Sequence, residues 1–248
     1  MSLNEEQIKT LKYLRLGGLL THWDQYLEHA CKQRFSPVRL LDYVLTEEVK
    51  LKKDNARQFR LKRAQISEML EIQTYPFTRQ PKLDRKKIFC LYDAFDYMTK
   101  AQNIIWMGPT GCGKTGLATS FLIQAINRGY TGRFVHFHSL IQELFASAAD
   151  HTEEKVLKQY LAYDCLLIDE IGYVEVEPAQ VGLFFTLMNK RHRHKPTLLT
   201  SNLGFSEWRS FLKNDHLTAA LIDRLTENSH VINMKNCRSL RPILDQET

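Results

Sequence analysis

The stretch GPTGCGKT, residues 108–115, has the residue types and spacing of a phosphate-binding loop. Glycines allow backbone N–H groups to converge on phosphate oxygens, and the helix predicted to follow adds the positive end of its dipole. Lys114 would place its charge at the β- and γ-phosphates, and the Thr115 hydroxyl would ligate Mg²⁺. A glycine turn with a chance lysine is the alternative. The pattern predicts that a nucleotide is bound by Gly108, Pro109, Thr110, Gly111, Cys112, Gly113, Lys114, Thr115 and Gly116.

Two acidic residues end the apolar run CLLIDE, which favours a buried strand. There, Asp169 would hold the hydration shell of Mg²⁺, and Glu170 would polarise the water that attacks the γ-phosphate. Adjacent acids at a solvated strand end are the alternative. One further strand-like run, GRFVHFH, separates the glycine-rich loop from the two acids. This order is typical of P-loop ATPases in which the catalytic glutamate follows the magnesium-binding aspartate.

A third polar position follows the β-rich run PTLLTS. Asn202 would contact the γ-phosphate there, or orient the attacking water together with Glu170. An asparagine after a strand is commonly only a turn residue. Because the run is the next strand in the series, the sequence adds Asn202 to Lys114 and Glu170 as a candidate catalytic residue.

The elements that must position these residues change in kind along the chain. From residue 103 onwards, short β-rich runs alternate with segments long enough for helices, which predicts a parallel sheet covered by helices. Residues 1–66 are predicted to be helical, with a break at Gly17–Gly18 and a helix start at Ser36–Pro37. Residues 72–87 contain two prolines and no sustained periodicity, which predicts a linker. The predicted domains are a helical N-terminal domain, residues 1–66, and an α/β ATPase domain, residues 67–248.

Composition narrows the environment and the class of partner. The five cysteines, at positions 31, 90, 112, 165 and 237, form no CxxC pair, which favours neither a disulfide framework nor a zinc site. The sequence has no apolar signal segment and no stretch of membrane-spanning length, so a cytoplasmic protein without a membrane partner is expected. The net charge of +6 favours a polyanionic partner, the alternative being a basic protein without one.

Taken in order, these motifs resemble the AAA+ family and, within it, the IstB-like ATP-binding proteins that assist insertion-sequence transposases. Helicase loaders of the DnaC type are close relatives of that group. The resemblance extends over nearly the whole chain, through LRLGGL, GPTGCGKT, LLIDEIG, LLTSNL, LIDRL and SLRP. Two positions depart from the pattern, Cys112 where relatives often have threonine and Gly116 where they usually have a bulkier residue. The fourteen residues after HVINM are too few for a lid of several helices, so an AAA+ core without a C-terminal lid is expected.

The resemblance implies roles for arginines outside the two nucleotide motifs. Arg224, in LIDRL, matches an arginine finger that completes the site of a neighbouring subunit, which implies a homo-oligomer. An ion pair at a helix end is the alternative for Arg224. Arg238 and Arg241 are either nucleotide-sensing residues or part of a basic tail.

The function that the resemblance implies is ATP-dependent regulation of transposition, with ATP and Mg²⁺ as cofactors. Such a protein oligomerises on double-stranded DNA, selects or remodels the target DNA, and recruits or activates its cognate transposase. Hydrolysis of ATP to ADP and phosphate then drives disassembly. The alternative is a replicative helicase loader of the DnaC type. A small-molecule P-loop kinase would need an acceptor-binding lid or a catalytic base near the phosphates, and neither is evident.

Three basic segments are candidates for DNA contact. In the first, four cations recur at spacings of three and four, so a helix displays them as one stripe. The second lies between the two nucleotide motifs, where the resemblance to initiators and loaders implies DNA-facing helices. The third, NKRHRHKP, ends a predicted helix, where the helix dipole also favours cations. A solvated charged face is the alternative throughout. The candidates are Lys50, Lys53, Arg57, Arg60, Lys155, Lys158, Arg191 and Arg193.

Overall fold

The N-terminal helices begin where polar side chains can cap them. The structure, a computed structural model, describes residues 3–173, 176 and 178–241. α1 (Glu5–Tyr13) starts with a capping box in which the Gln7 N–H donates to Asn4 Oδ1 at 2.8 Å. α3 (Pro37–Ala64) starts at the predicted place, where the Arg39 N–H donates to Ser36 Oγ at 3.3 Å.

The helix break predicted at Gly17–Gly18 lies directly before the glycine pair, at residues 14–16, and the pair itself begins the next helix. α2 (Gly17–Lys32) starts with these glycines, and the chain turns just before them, where Arg15 has a φ of 55°. A Cβ atom at Gly18 would lie 2.5 Å from Glu48 Oε2, so a side chain there would displace the Glu48 carboxylate. That carboxylate accepts a hydrogen bond from the Leu19 N–H at 3.1 Å and thereby caps α2.

The segment predicted as a linker is instead part of a folded core. The chain divides into two compact units, Met1–Phe59 and Arg60–Thr248, and the domain boundary proposed after residue 66 stays a prediction. Residues 72–87 lie in the second unit and contain two short 3₁₀ helices, Ile72–Thr74 and Phe77–Arg79. Ile72 is fully buried in the apolar core of that unit. α4 (Arg85–Ala94) and α5 (Asp96–Thr99) then lead into the sheet.

The second unit contains the predicted parallel sheet. Its strands are β1 (Asn103–Met107), β2 (Gly132–His136), β3 (Cys165–Ile171), β4 (Thr197–Ser201) and β5 (Ser229–Asn233), in the order β2-β3-β4-β1-β5. All four neighbouring pairs are parallel. The connecting helices are α6 (Lys114–Asn127), α7 (Phe137–Ala149), α8 (Glu153–Ala162), α9 (Pro178–Arg191), α10 (Phe205–Leu212) and α11 (Asp215–Thr226).

Helices cover both faces of the sheet because its strands are apolar on both sides. In β1, Ile104 and Trp106 join one buried cluster with Phe121 of α6, whereas Ile105 joins a second cluster with Phe184 of α9. This architecture is that of an AAA+ core, as predicted. No helix in the part of the chain that the structure describes has the length and apolar composition needed to span a bilayer.

Arg191 is a structural residue, which corrects the prediction that it contacts DNA. Its side chain is 1% exposed at the end of α9. The guanidinium donates to the Tyr160 and Tyr163 carbonyls at 3.0 and 2.9 Å, to the Pro196 carbonyl at 2.7 Å and to Thr197 Oγ1 at 3.1 Å. Burial lowers its pKa to about 10. The five donors of a guanidinium suit this task, since they satisfy several buried carbonyls at once, and they are not available to a DNA backbone.

Arg191→Leu is expected to lower the free energy of unfolding by about 3 kcal/mol, because it leaves several buried carbonyls without a donor. Arg193→Leu, two residues later, removes an exposed ion pair with Glu227 and is expected to change stability far less. Equilibrium denaturation of both variants in urea measures the difference. Equal losses in the two variants would contradict the structural role of Arg191.

Candidate nucleotide site

The glycine-rich loop lies at the carboxyl edge of the sheet, between β1 and α6, as its motif requires. Gly113 is the residue immediately before α6 and has a φ of +88°, a left-handed conformation that glycine adopts without strain. A Cβ atom there would also lie 2.5 Å from Cε2 of Tyr75. The amino end of α6, with its unpaired N–H groups, therefore opens beside the loop, where it can bind phosphate.

Lys114 is held inside the loop rather than in solvent. Its side chain is 6% exposed, and Nζ donates to the carbonyls of Gly108 and Pro109, each at 2.8 Å. Burial lowers its pKa, while the nearby carboxylates of Asp169 and Glu170 act in the opposite direction. A positive charge fixed in this way can face an anionic ligand with little loss of side-chain entropy.

Thr115 and Asp169, the two predicted magnesium ligands, lie within hydrogen-bond distance of each other. The Thr115 hydroxyl is 3.0 and 3.2 Å from the two Asp169 carboxylate oxygens. Asp169 is 1% exposed and also accepts a hydrogen bond from the Thr200 hydroxyl at 2.6 Å. A hydroxyl and a carboxylate are the hard oxygen donors that Mg²⁺ prefers, so these residues fit the ion.

Glu170 leaves the buried strand at a β-bulge. Ile168 pairs with Leu199 and Ile171 with Ser201, so two residues of β3 stand opposite one of β4. Glu170 has a φ of +65°, an unfavourable value for a residue with a side chain, and its N–H donates to Thr200 Oγ1 at 2.9 Å. The bulge turns the Glu170 side chain, about half exposed, towards the cavity beside the loop.

His136 is a member of this cluster that the sequence analysis missed. It ends β2, and its Nδ1 is 3.4 Å from Glu170 Oε2 and 3.7 Å from Asp169 Oδ2. The run GRFVHFH predicts a strand over its whole length, but α7 begins at Phe137, which places His136 at the carboxyl end of β2. The parallel register of β2 with β3 pairs His136 with Asp169, and only the sheet order reveals that juxtaposition.

Asn202 follows β4 directly, at the same edge of the sheet. Its Oδ1 is buried and has no hydrogen-bond partner among the described residues. The amide lies against Gly172, two residues after Glu170, so that a Cβ atom at Gly172 would collide with Oδ1. The structure thus places the predicted Asn202 beside the end of β3, with an unsatisfied polar atom.

A cavity of about 400 Å³ adjoins the loop and the strand ends. Residues of the segment 68–79 and residues 240–241 line its other sides, and most of the first segment falls in the stretch predicted to be a linker. The Tyr75 hydroxyl donates to the Cys112 carbonyl at 2.7 Å, and burial raises the pKa of Tyr75. A Cβ atom at Gly116 would lie 2.9 Å from Leu70 Cδ1. This close approach gives a reason for glycine at position 116.

Arg224, the predicted arginine finger, is not among the residues that line this cavity. It lies in the last turn of α11 with about two-fifths of its side chain exposed. Its Nε donates to Asn189 Oδ1 at 3.3 Å, and its Nη1 is 3.5 Å from Asp223 Oδ2. Both contacts are long and partly solvated, so the guanidinium can exchange them for another partner at small cost.

The remaining basic candidates lie on helices. The stripe of Lys50, Lys53, Arg57 and Arg60 is on α3, as its spacing predicts. Lys155 and Lys158 are exposed on α8, where Lys158 lies 3.5 Å from Glu154. Arg193 is exposed and pairs with Glu227.

Comparison with known proteins agrees with this geometry. The model of the IstB-like ATP binding protein family matches residues 9–243. The chain is 32% identical to the insertion sequence IS5376 ATP-binding protein of Geobacillus stearothermophilus, over 90% of this chain and 88% of that protein. It is 31% identical to the insertion sequence IS21 ATP-binding protein of Pseudomonas aeruginosa, over 91% of this chain and 84% of the other. The crystal structure of the DnaC helicase loader aligns with 60% of this chain and 87% of its own, with a TM-score of 0.52 and 21% identity, which shows a shared fold alone.

Thr200→Val is expected to lower the rate of ATP hydrolysis roughly 10- to 100-fold, the usual effect of removing a residue that orients a metal ligand. The substitution keeps the shape of the buried side chain but removes the donor to Asp169 and the acceptor of the Glu170 N–H. Phosphate release at saturating ATP, measured across a Mg²⁺ titration, gives the rate and the Mg²⁺ concentration for half-maximal activity.

Thr200→Ser is the matched control, because it retains the hydroxyl and is expected to stay close to the wild-type rate. Equal rates for the valine and serine variants would show that the Thr200 hydroxyl does not orient Asp169.

Proposed function

Since this chain belongs to the family of IstB-like ATP-binding proteins, we propose that it is an ATPase that regulates transposition on DNA. The observation that carries the ATPase assignment is the cluster of Thr115, Asp169, Thr200 and Glu170 beside the phosphate loop. Together with the Lys114 cation of the loop, it provides two hard oxygen donors, Thr115 and Asp169, and the half-exposed Glu170 carboxylate at one edge of the sheet. A protein that only binds nucleotide would not need a carboxylate such as Glu170, which a β-bulge directs towards the cavity.

In the proposed reaction, the loop N–H groups and Lys114 hold the β- and γ-phosphates, and Thr115 and Asp169 hold Mg²⁺ directly or through its hydration shell. When bound, Mg²⁺ neutralises charge on the phosphate oxygens. Glu170 orients the attacking water and accepts its proton, while Asn202 directs an amide at the same water or at the γ-phosphate. The products are ADP and phosphate.

We propose that Arg224 acts in the site of a neighbouring subunit. Two facts support this assignment: the guanidinium is partly exposed, and it does not line the cavity of its own chain. A guanidinium supplied in trans stabilises the charge that builds on the γ-phosphate and accelerates hydrolysis by about 10³ to 10⁵ in P-loop enzymes. The homo-oligomer would therefore assemble when ATP is bound and loosen after hydrolysis.

We propose double-stranded DNA and a cognate transposase as the partners of the assembly. The names of the relatives link them to insertion sequences, and the net charge of +6 suits a polyanion. Backbone contacts are proposed for Lys50, Lys53, Arg57, Arg60, Lys155, Lys158 and Arg193. Such contacts give little sequence preference and strong dependence on salt. The assembly would select or remodel the target DNA and recruit or activate the transposase.

With a non-hydrolysable ATP analogue and Mg²⁺, the protein is expected to form large complexes on duplex DNA and only small ones with ADP. Light scattering after size separation measures the mass of each complex on duplex and on single-stranded DNA of equal length. Lys114→Ala is the control, because it removes the charge that faces the phosphates and is expected to abolish the large complexes.

A preference for single strands, with small complexes on duplex, would contradict this proposal and favour a helicase loader of the DnaC type. Large complexes that form equally well with Lys114→Ala would show that assembly does not depend on ATP.

A further inference from the structure

The chain returns to the phosphate loop after its last described strand. Residues 234–241, called here the C-terminal strap, follow β5 directly. The Met234 N–H donates to the Met107 carbonyl at 2.6 Å, and the Leu240 N–H donates to the Gly111 carbonyl at 2.8 Å. The strap is thus hydrogen-bonded to the residue before the phosphate loop and to a residue within it. The last residues of the strap, Leu240 and Arg241, line the cavity.

The side chain of Gln80 also binds this strap, through the backbone of Arg238. This side chain is 1% exposed, Nε2 donates to the Arg238 carbonyl at 2.6 Å, and Oε1 accepts from the Arg238 N–H at 2.9 Å. An amide paired in this way satisfies both backbone groups of one residue, as a neighbouring strand would. Gln80 and Arg238 are far apart in sequence, so the pair closes a loop that contains the whole sheet.

The strap packs closely against the phosphate loop. Gly111 has a φ of +79°, and a Cβ atom there would lie 2.7 Å from Ser239 Oγ. Ser239 Oγ in turn accepts from the Arg241 N–H at 3.2 Å. Arg241 lines the cavity together with Lys114, and its Cγ and Cδ would each lie 3.5 Å from a Cβ atom at Gly111 of the phosphate loop. Burial lowers the pKa of the Lys114 amine, and the charge of Arg241 is close enough to lower it further.

We propose that Gln80 is a positioning residue for nucleotide binding, because it holds the strap on the phosphate loop and thereby holds Arg241 at the phosphate end of the cavity. The inference rests on the proposed binding of ATP in this cavity. Gln80 itself would not contact the bound nucleotide. Its loss weakens binding because the strap leaves the loop and the Arg241 cation is no longer fixed beside the phosphates.

Gln80→Leu and Gln80→Glu test this role. Leucine lacks both polar atoms, and glutamate keeps the size but sets a carboxylate oxygen against the Arg238 carbonyl. Both are expected to raise the dissociation constants of ATP and ADP at least tenfold and the KM for ATP in parallel, with a change in kcat of less than threefold. Gln142→Leu, at an exposed position on α7, is the matched control and is expected to leave both constants unchanged.

The rate of thiol labelling measures how accessible the strap is, and it needs no nucleotide. In a background of Cys31→Ser and Cys90→Ser, both exposed positions, the remaining cysteines are buried. Cys237 lies in the strap and Cys165 in β3. Release of the strap is expected to speed labelling of Cys237 at least tenfold in the Gln80 variants, while Cys165 stays protected. Mass spectrometry of the labelled peptides separates the two sites.

Wild-type labelling rates and nucleotide affinity in the Gln80 variants would overturn the inference. Faster labelling of Cys165 and Cys237 together would also overturn it, since Gln80 would then support the whole fold. Failure of the proposed function would give a different result. The wild-type protein itself would then bind no ATP, while the labelling rate of Cys237 would still show whether the Gln80 variants release the strap.

Discussion

The candidate site depends on one hydroxyl, that of Thr200, which donates to Asp169 at 2.6 Å and accepts from the Glu170 N–H at 2.9 Å. These two bonds join the carboxyl ends of β3 and β4 at the point where the ladder between them is interrupted by the bulge. The buried Asp169 carboxylate is thereby fixed, and Glu170 keeps a left-handed conformation that costs free energy. Strain of this kind persists only where surrounding bonds determine it, and here they also fix the direction of the carboxylate.

The phosphate loop is positioned from outside the sheet as well as by it. The Tyr75 hydroxyl holds the Cys112 carbonyl, and the strap holds the Gly111 carbonyl through the Leu240 N–H. Two separate segments therefore bind consecutive loop carbonyls and hold the loop in one conformation. An anion-binding loop gains affinity when it is ordered before the ligand arrives, since less conformational entropy is then lost on binding.

The sequence predicted the parts of the site that are local, and missed those that depend on distant pairing. The loop, its position between strand and helix, and the acidic strand end follow from short patterns with a physical reason, and the parallel sheet was confirmed. His136 and Thr200 lie in the site because of the sheet order, and Gln80 contacts the strap through bonds between residues far apart in sequence, so no local periodicity marks any of the three. Arg191 was predicted to contact DNA because the cations of a basic run normally face water. In the structure its side chain is buried and donates to four internal acceptors. The linker prediction failed because prolines and a lack of periodicity also describe a tightly packed irregular segment.

The dwell time of the assembly on duplex DNA in the presence of ATP tests the central claim most directly. A single-molecule or competition measurement would compare the wild-type protein with Glu170→Gln, which keeps the size of the side chain but removes the carboxylate that accepts the proton. If hydrolysis dismantles the assembly, Glu170→Gln stays on duplex DNA far longer than the wild type, and the two proteins behave alike with a non-hydrolysable analogue. Release of Glu170→Gln as fast as the wild type in ATP would contradict the account.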